Sequence, residues 1–118
     1  MSRTEDNAMK ITRFDRTAAY PAHEGTILAL PVIPEDIQAP FDHAYGYLEN
    51  GGEMETHQHP THEIYIVFSG TGTVMVDGEE AEVKPGDVIE IPPNKLHTMR
   101  GKAGTPFLWA AFWWPVTE

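Results

Sequence analysis

"GGEMETHQHPTHEIYIVFSG", residues 51–70, opens on a pair of glycines and closes on another. Its middle, "HQHPTHE" at residues 57–63, holds three of the six histidines in the chain. His57 and His59 stand at i and i+2, so on an extended backbone they point to the same side and two imidazoles converge. Glu63 lies four residues beyond His59, and Pro60 marks a bend between them. After the bend a strand would place Glu63, Tyr65 and Val67 on one face and Ile64, Ile66 and Phe68 on the other. Either a metal ion draws such histidines together or a solvated loop tolerates them.

The surrounding sequence is punctuated by ten prolines and ten glycines, which cut it into pieces too short for ordinary helices. Between the breaks lie segments of strand type: "TILALPVI" (26–33), "DHAYGYLE" (42–49), "EIYIVFSG" (63–70), "PGDVIEIPP" (85–93) and "PFLWAAFWWP" (106–115). "GTVMVDGEEAEV" (72–83) reads as a hairpin with Asp77-Gly78 as its two-residue turn. Short strands separated by regular turn signals predict an all-β sandwich or barrel, and closing a sheet into a barrel removes exposed edges. A chain of 118 residues is enough for one such domain. Residues 1–10 read as a flexible tail and residues 11–118 as the single domain.

Eighteen acidic against eight basic side chains give a net charge of −10, which repels nucleic acid and anionic membranes. No apolar stretch approaches the roughly 20 residues of a spanning helix. The first residues, "MSRTEDNAMKITRFDRT", are polar and partly acidic, unlike a signal or transit peptide, so a cytoplasmic location is expected. Without cysteine, disulfides, thiolate ligands and cysteine nucleophiles are all excluded.

A fourth candidate for the histidine group is His97 in "IPPNKLHT", where the chain re-enters the sheet after a Pro-Pro turn. Three imidazoles and a carboxylate suit one divalent transition metal (Mn, Fe, Ni, Co, Cu or Zn) and match no structural zinc knuckle. His43 shares a strand face with Tyr45 and Tyr47, and that face could be either side of the barrel. His62, opposite in parity to Glu63, is expected at the surface, and His23 carries no signal.

Two spacings carry a family resemblance. Gly51, five residues, His57-Gln58-His59, three residues, Glu63, six residues and Gly70 make the first; Gly86, five residues, Pro92 and then His97 make the second. Together they resemble the paired motifs of the cupin superfamily, small jelly-roll β-barrels, most clearly over residues 41–114. The second motif departs at Asn94, where Gly is usual, and at Gly101, where Asn is frequent; Asn tolerates the left-handed turn conformation that Gly supplies. The resemblance implies a cupin-type jelly-roll barrel with His57, His59, Glu63 and His97 as metal ligands. It also implies a small-molecule ligand or substrate, and dioxygenase-like or isomerase-like chemistry. The alternative is a non-catalytic module that binds or senses a sugar or organic acid. Candidate pocket residues are Tyr45, Tyr47, Tyr65, His43, Met75, Met99 and Trp109. Residues 107–114 are eight consecutive apolar side chains, so whichever face does not fill the barrel needs a cover. Similar cupins pair as dimers, and a homodimer with Trp113 or Trp114 near its interface is expected.

Overall fold

A computed structural model describes residues 9–117; the expected N-terminal tail lies, for residues 1–8, outside the described residues. Among the described residues nine strands follow one 3-10 turn at Arg16–Ala18. They are β1 (Tyr20–Ala22), β2 (Ile27–Leu30), β3 (Asp42–Leu48), β4 (Thr61–Ser69), β5 (Gly72–Val76), β6 (Glu79–Val83), β7 (Val88–Ile91), β8 (His97–Arg100) and β9 (Phe107–Pro115). They form a six-stranded sheet in the order β1-β2-β3-β9-β4-β7 and a three-stranded sheet in the order β6-β5-β8. Every pairing is antiparallel. This is the all-β, jelly-roll arrangement expected of the sequence. No helix among the described residues is long and apolar enough to cross a membrane.

Alternation along the strands sets what lies between the sheets. On β4, Glu63, Tyr65 and Val67 are buried while Ile64 and Ile66 are only partly so, which is the predicted parity. On β9, Phe107, Trp109 and Ala111 face inward and Phe107 and Trp109 are almost wholly enclosed. Met54, Ile91 and Met99 complete the most deeply buried apolar side chains. On β3 the inward residues are Ala44, Gly46 and Leu48. Gly46 pairs with Trp109 across the sheet, and a Cβ there would overlap the indole ring. Gly46 is what lets the largest core side chain lie flat against the strand beside it.

The Asp77-Gly78 turn is as expected: Val76 pairs with Glu79, and both turn residues have positive φ, 53° and 84°. Asn94 also holds a left-handed conformation, φ 64°, so it does what a glycine would do there.

The outer face of the six-stranded sheet stays largely apolar. It carries Leu108, Phe112 and Trp114 from β9, with Ile64, Ile66 and Phe68 from β4. A register shift between Val67 and Ser69 leaves Phe68 at the bulge, 45% exposed. Phe14 packs against Tyr45 and Tyr47, and Phe41 against His43 and Phe112, so the segments flanking β1–β2 cover only part of this face. β1 and β2 themselves extend the sheet at its edge. Trp113 has the opposite parity and lines the interior, which corrects its placement as an alternative interface residue.

Candidate metal centre

The two halves of the histidine set meet through the backbone. His57 donates its N–H to the carbonyl of His97 (3.1 Å), and His97 returns one to His57 (2.9 Å), a single antiparallel bridge. Asn94 N–H donates to the carbonyl of His59 at 2.8 Å, tying the second turn to the first. His57 and His59 therefore sit on a loop entering β4 rather than on a strand. Pro60 has no N–H to give a ladder, and β4 begins only at Thr61.

The ring nitrogens of His57, His59 and His97 have one member each within 4.8 Å of the others, an arrangement able to hold a metal ion. Glu63 Oε1 lies 2.9 Å from His59 Nε2 and 3.2 Å from His97 Nε2. All four sequence-predicted ligands are thus brought together.

Their outward nitrogens show how the set is aimed. His57 Nδ1 lies 2.8 Å from the carbonyl of Glu55, and His97 Nδ1 lies 2.8 Å from that of Lys95, each two residues earlier in the chain. A carbonyl only accepts, so Nδ1 carries the proton and the neutral ring turns an unprotonated Nε2 toward the centre. His59 Nδ1 is 2.5 Å from the Thr61 hydroxyl, which can donate or accept. His97 Nε2 is buried and has no hydrogen bond among the described residues, although Glu63 Oε1 is near. A lone pair facing a carboxylate oxygen in a buried site is unfavourable unless a cation stands between them. The donor set therefore fits a divalent metal ion. Burial lowers the pKa of His57 from the ordinary 6.5 to about 4, opposed by its contact with Glu55, which keeps the ring neutral and ligand-competent near neutral pH.

The centre opens into a cavity of about 360 Å³ between the sheets. Its walls include Tyr65, Trp109 and Trp113, with Met54, Ile27 and Ala29, and no Lys or Arg among the described residues lines it. Tyr65 is buried, its ring 6.1 Å from that of His97 and 5.8 Å from that of Trp109. Burial, and then the nearby Glu63 charge, raise its hydroxyl well above the usual tyrosine range, so it stays protonated.

Four of the predicted pocket residues lie elsewhere. His43 and Tyr47 are on the outward face of β3, the parity set by Gly46 and Trp109; His43 Nδ1 accepts from the N–H groups of Val32 (3.2 Å) and Ile33 (3.3 Å). Met75 turns its sulfur to Gly78 N–H in the hairpin, 3.4 Å away. Met99 is fully enclosed in the core beneath the centre and does not line the cavity. Tyr45 touches the cavity wall, but its ring packs on Phe14 and Phe68. His62 is exposed beside Trp114, as expected.

His23 is the residue sequence reading missed. It occupies the cavity rim with its ring stacked on His57, centroids 4.1 Å apart and planes 31° from parallel. Desolvation lowers its pKa, partly opposed by Glu55 and Glu63. His23, Glu24 and Gly25 are left-handed in succession, at φ 51°, 59° and 77°. Such residues other than glycine cost about 1 kcal/mol or more each. An isolated turn histidine such as His23 belongs to neither the 57–63 cluster nor the His97 spacing and has no periodicity to read.

Known proteins resemble the chain both in sequence and in fold. The cupin domain family matches residues 45–114. An uncharacterized protein of Methanocaldococcus jannaschii is 33% identical over 104 residues, spanning 83% of this chain and 82% of that protein. The crystal structure of a cupin 2 conserved barrel domain protein from Salinispora arenicola superposes with a TM-score of 0.79 at 27% identity, covering 93% of this chain and 92% of that one. Quercetin 2,3-dioxygenase of Bacillus subtilis is 33% identical over 51 residues, 42% of this chain but 15% of that enzyme. With the family match spanning residues 45–114 and the two motifs joined at the His57–His97 bridge, the chain belongs to the cupin family.

Proposed function

We propose that this cupin is a metal-dependent enzyme of dioxygenase-like or isomerase-like type, acting on a small planar molecule that offers an oxygen pair. His57, His59, Glu63 and His97 hold one divalent transition metal in this reading. The observation that carries it is the pair of Nδ1–carbonyl contacts at His57 and His97, which aim two neutral Nε2 atoms at Glu63 inside an apolar cavity. The bound ion supplies Lewis acidity or dioxygen activation. Glu63 offsets part of the dication's charge, which lowers the cost of burying it. Trp109 and Trp113 favour a flat, largely uncharged molecule, since no cation among the described lining residues would pair with a second carboxylate. Tyr65, held protonated, donates a hydrogen bond to a substrate oxygen. The likeness to the Bacillus dioxygenase over 51 residues supports this choice of chemistry.

One feature favours the second reading, a binding or sensing module: outside the four-residue set no carboxylate is among the described lining residues, which leaves His23 as the one lining imidazole free to act as a base. We place the protein in the cytoplasm as a homodimer built on the apolar outer face of the large sheet. Oxygen uptake and product formation with β-diketones, catechols and hydroxy acids separate the readings. Turnover by metal-loaded protein, lost in the Glu63→Ala variant, is expected. Tight binding of the same compounds with no conversion would establish the module instead.

A further inference from the structure

We infer that His23 is a ligand-contacting residue of the cavity mouth, hydrogen-bonding the outward end of a molecule whose oxygen pair lies at the metal centre; this rests on the function proposed above. The turn that carries it is built to hold the ring in place. His23 O accepts from Thr26 N–H (3.1 Å) and from the Thr26 hydroxyl (2.6 Å), and Thr26 Oγ1 in turn accepts from Glu55 N–H at 2.8 Å. Glu55 is the residue whose carbonyl orients His57. The strained turn and the metal loop are therefore one connected unit, and the imidazole of His23 is stacked where that unit meets the cavity.

His23 differs from the three clustered histidines in what its nitrogens do. Each of those has its Nδ1 engaged by a carbonyl or hydroxyl. Neither ring nitrogen of His23 makes a hydrogen bond to another described residue, and His23 is outside the group of convergent nitrogens. Of the other polar groups on the described lining, Thr61 is committed to His59, which leaves the tyrosine hydroxyls, the indole N–H groups of Trp109 and Trp113, and His23 to contact a bound molecule away from the metal. His23 is exposed to solvent, so a ligand that hydrogen-bonds it exchanges mobile water for a partner already fixed by the turn and by stacking on His57.

Two probes separate this role from a structural one. Catechol offers only the oxygen pair, while 4-nitrocatechol adds a polar group at the opposite end of the same ring. Cobalt(II)-loaded protein is titrated with each by absorbance, and the melting temperature of every variant is read alongside. His23→Phe keeps a ring on His57 and removes both nitrogens; His23→Asn tolerates the left-handed turn and shortens the reach. Both are expected to retain one cobalt with the parent's visible spectrum, to bind catechol as the parent does, and to bind 4-nitrocatechol about tenfold more weakly. Unchanged binding of both probes would overturn the inference. So would loss of cobalt from both variants, which would make His23 a support of the centre. A parent protein that takes up no cobalt would instead sink the metal-site reading itself.

Discussion

At the scale of single residues, the site depends on which nitrogen of each histidine carries a proton. His57 and His97 use the same device, a carbonyl two residues back that accepts from Nδ1–H, and it was invisible in the spacing of the motif. The ligand types and their order were legible because a metal needs convergent donors, and i, i+2 spacing next to Glu63 advertises them. His23 was not legible, since its position follows from a left-handed turn that sequence pattern does not encode. The protonation of His57 has a measurable consequence. Its pKa is the ordinary 6.5 when unfolded and about 4 when folded, so between those values the unfolded chain binds more protons. In metal-free protein its contribution to stability is present above about pH 6.5 and is lost as pH falls through about 4. The melting temperature should therefore drop over that window, and less steeply in His57→Gln. Identical slopes for the two proteins would show that burial does not govern this ring.

At the scale of elements, turns and strand parity were the most readable features. Asp77-Gly78 announced its hairpin because two positive-φ positions demand such residues, and the alternation of Glu63, Tyr65 and Val67 fixed the inward face of β4. Replacing Gly78 (φ 84°) with Val should cost about 1–3 kcal/mol in chemical denaturation, and no change in midpoint would contradict the turn geometry. The face of β3 could not be read from its own residues: His43, Tyr45 and Tyr47 make as good an inner face as Ala44, Gly46 and Leu48. The decision belongs to a partner strand, because Trp109 on β9 fills the space that only Gly46 leaves open. Gly46→Ala should accordingly destabilise the fold by about 1–3 kcal/mol through overpacking and shift the tryptophan fluorescence. A neutral effect on both would mean the indole lies elsewhere. β1 escaped notice for a simpler reason, being three residues long with a proline at its centre.

At the scale of the whole molecule, eight apolar residues in β9 required two buried faces, and the structure supplies one. Trp113 and Trp109 belong to the interior, whereas Trp114, Phe112 and Leu108 stand on a face that Phe14 and Phe41 cover in part. Phe68 and Val88 on the same side are 45% and 59% exposed. A second copy would bury this surface self-complementarily about a two-fold axis. Sedimentation equilibrium at micromolar concentration should give twice the 13.2 kDa chain mass, and Trp114→Glu should return it to one chain without loss of fold. A monomeric parent protein would contradict the two-fold interface.

Metal content tests the central claim most directly. Protein purified without an affinity tag, loaded with a mixture of the six candidate divalent ions and then dialysed, should carry one ion per chain by elemental analysis. The His57→Ala/His97→Ala double variant should carry none and keep its β-sheet circular dichroism. A folded parent protein left empty, or stoichiometric metal surviving in the folded double variant, would contradict the account.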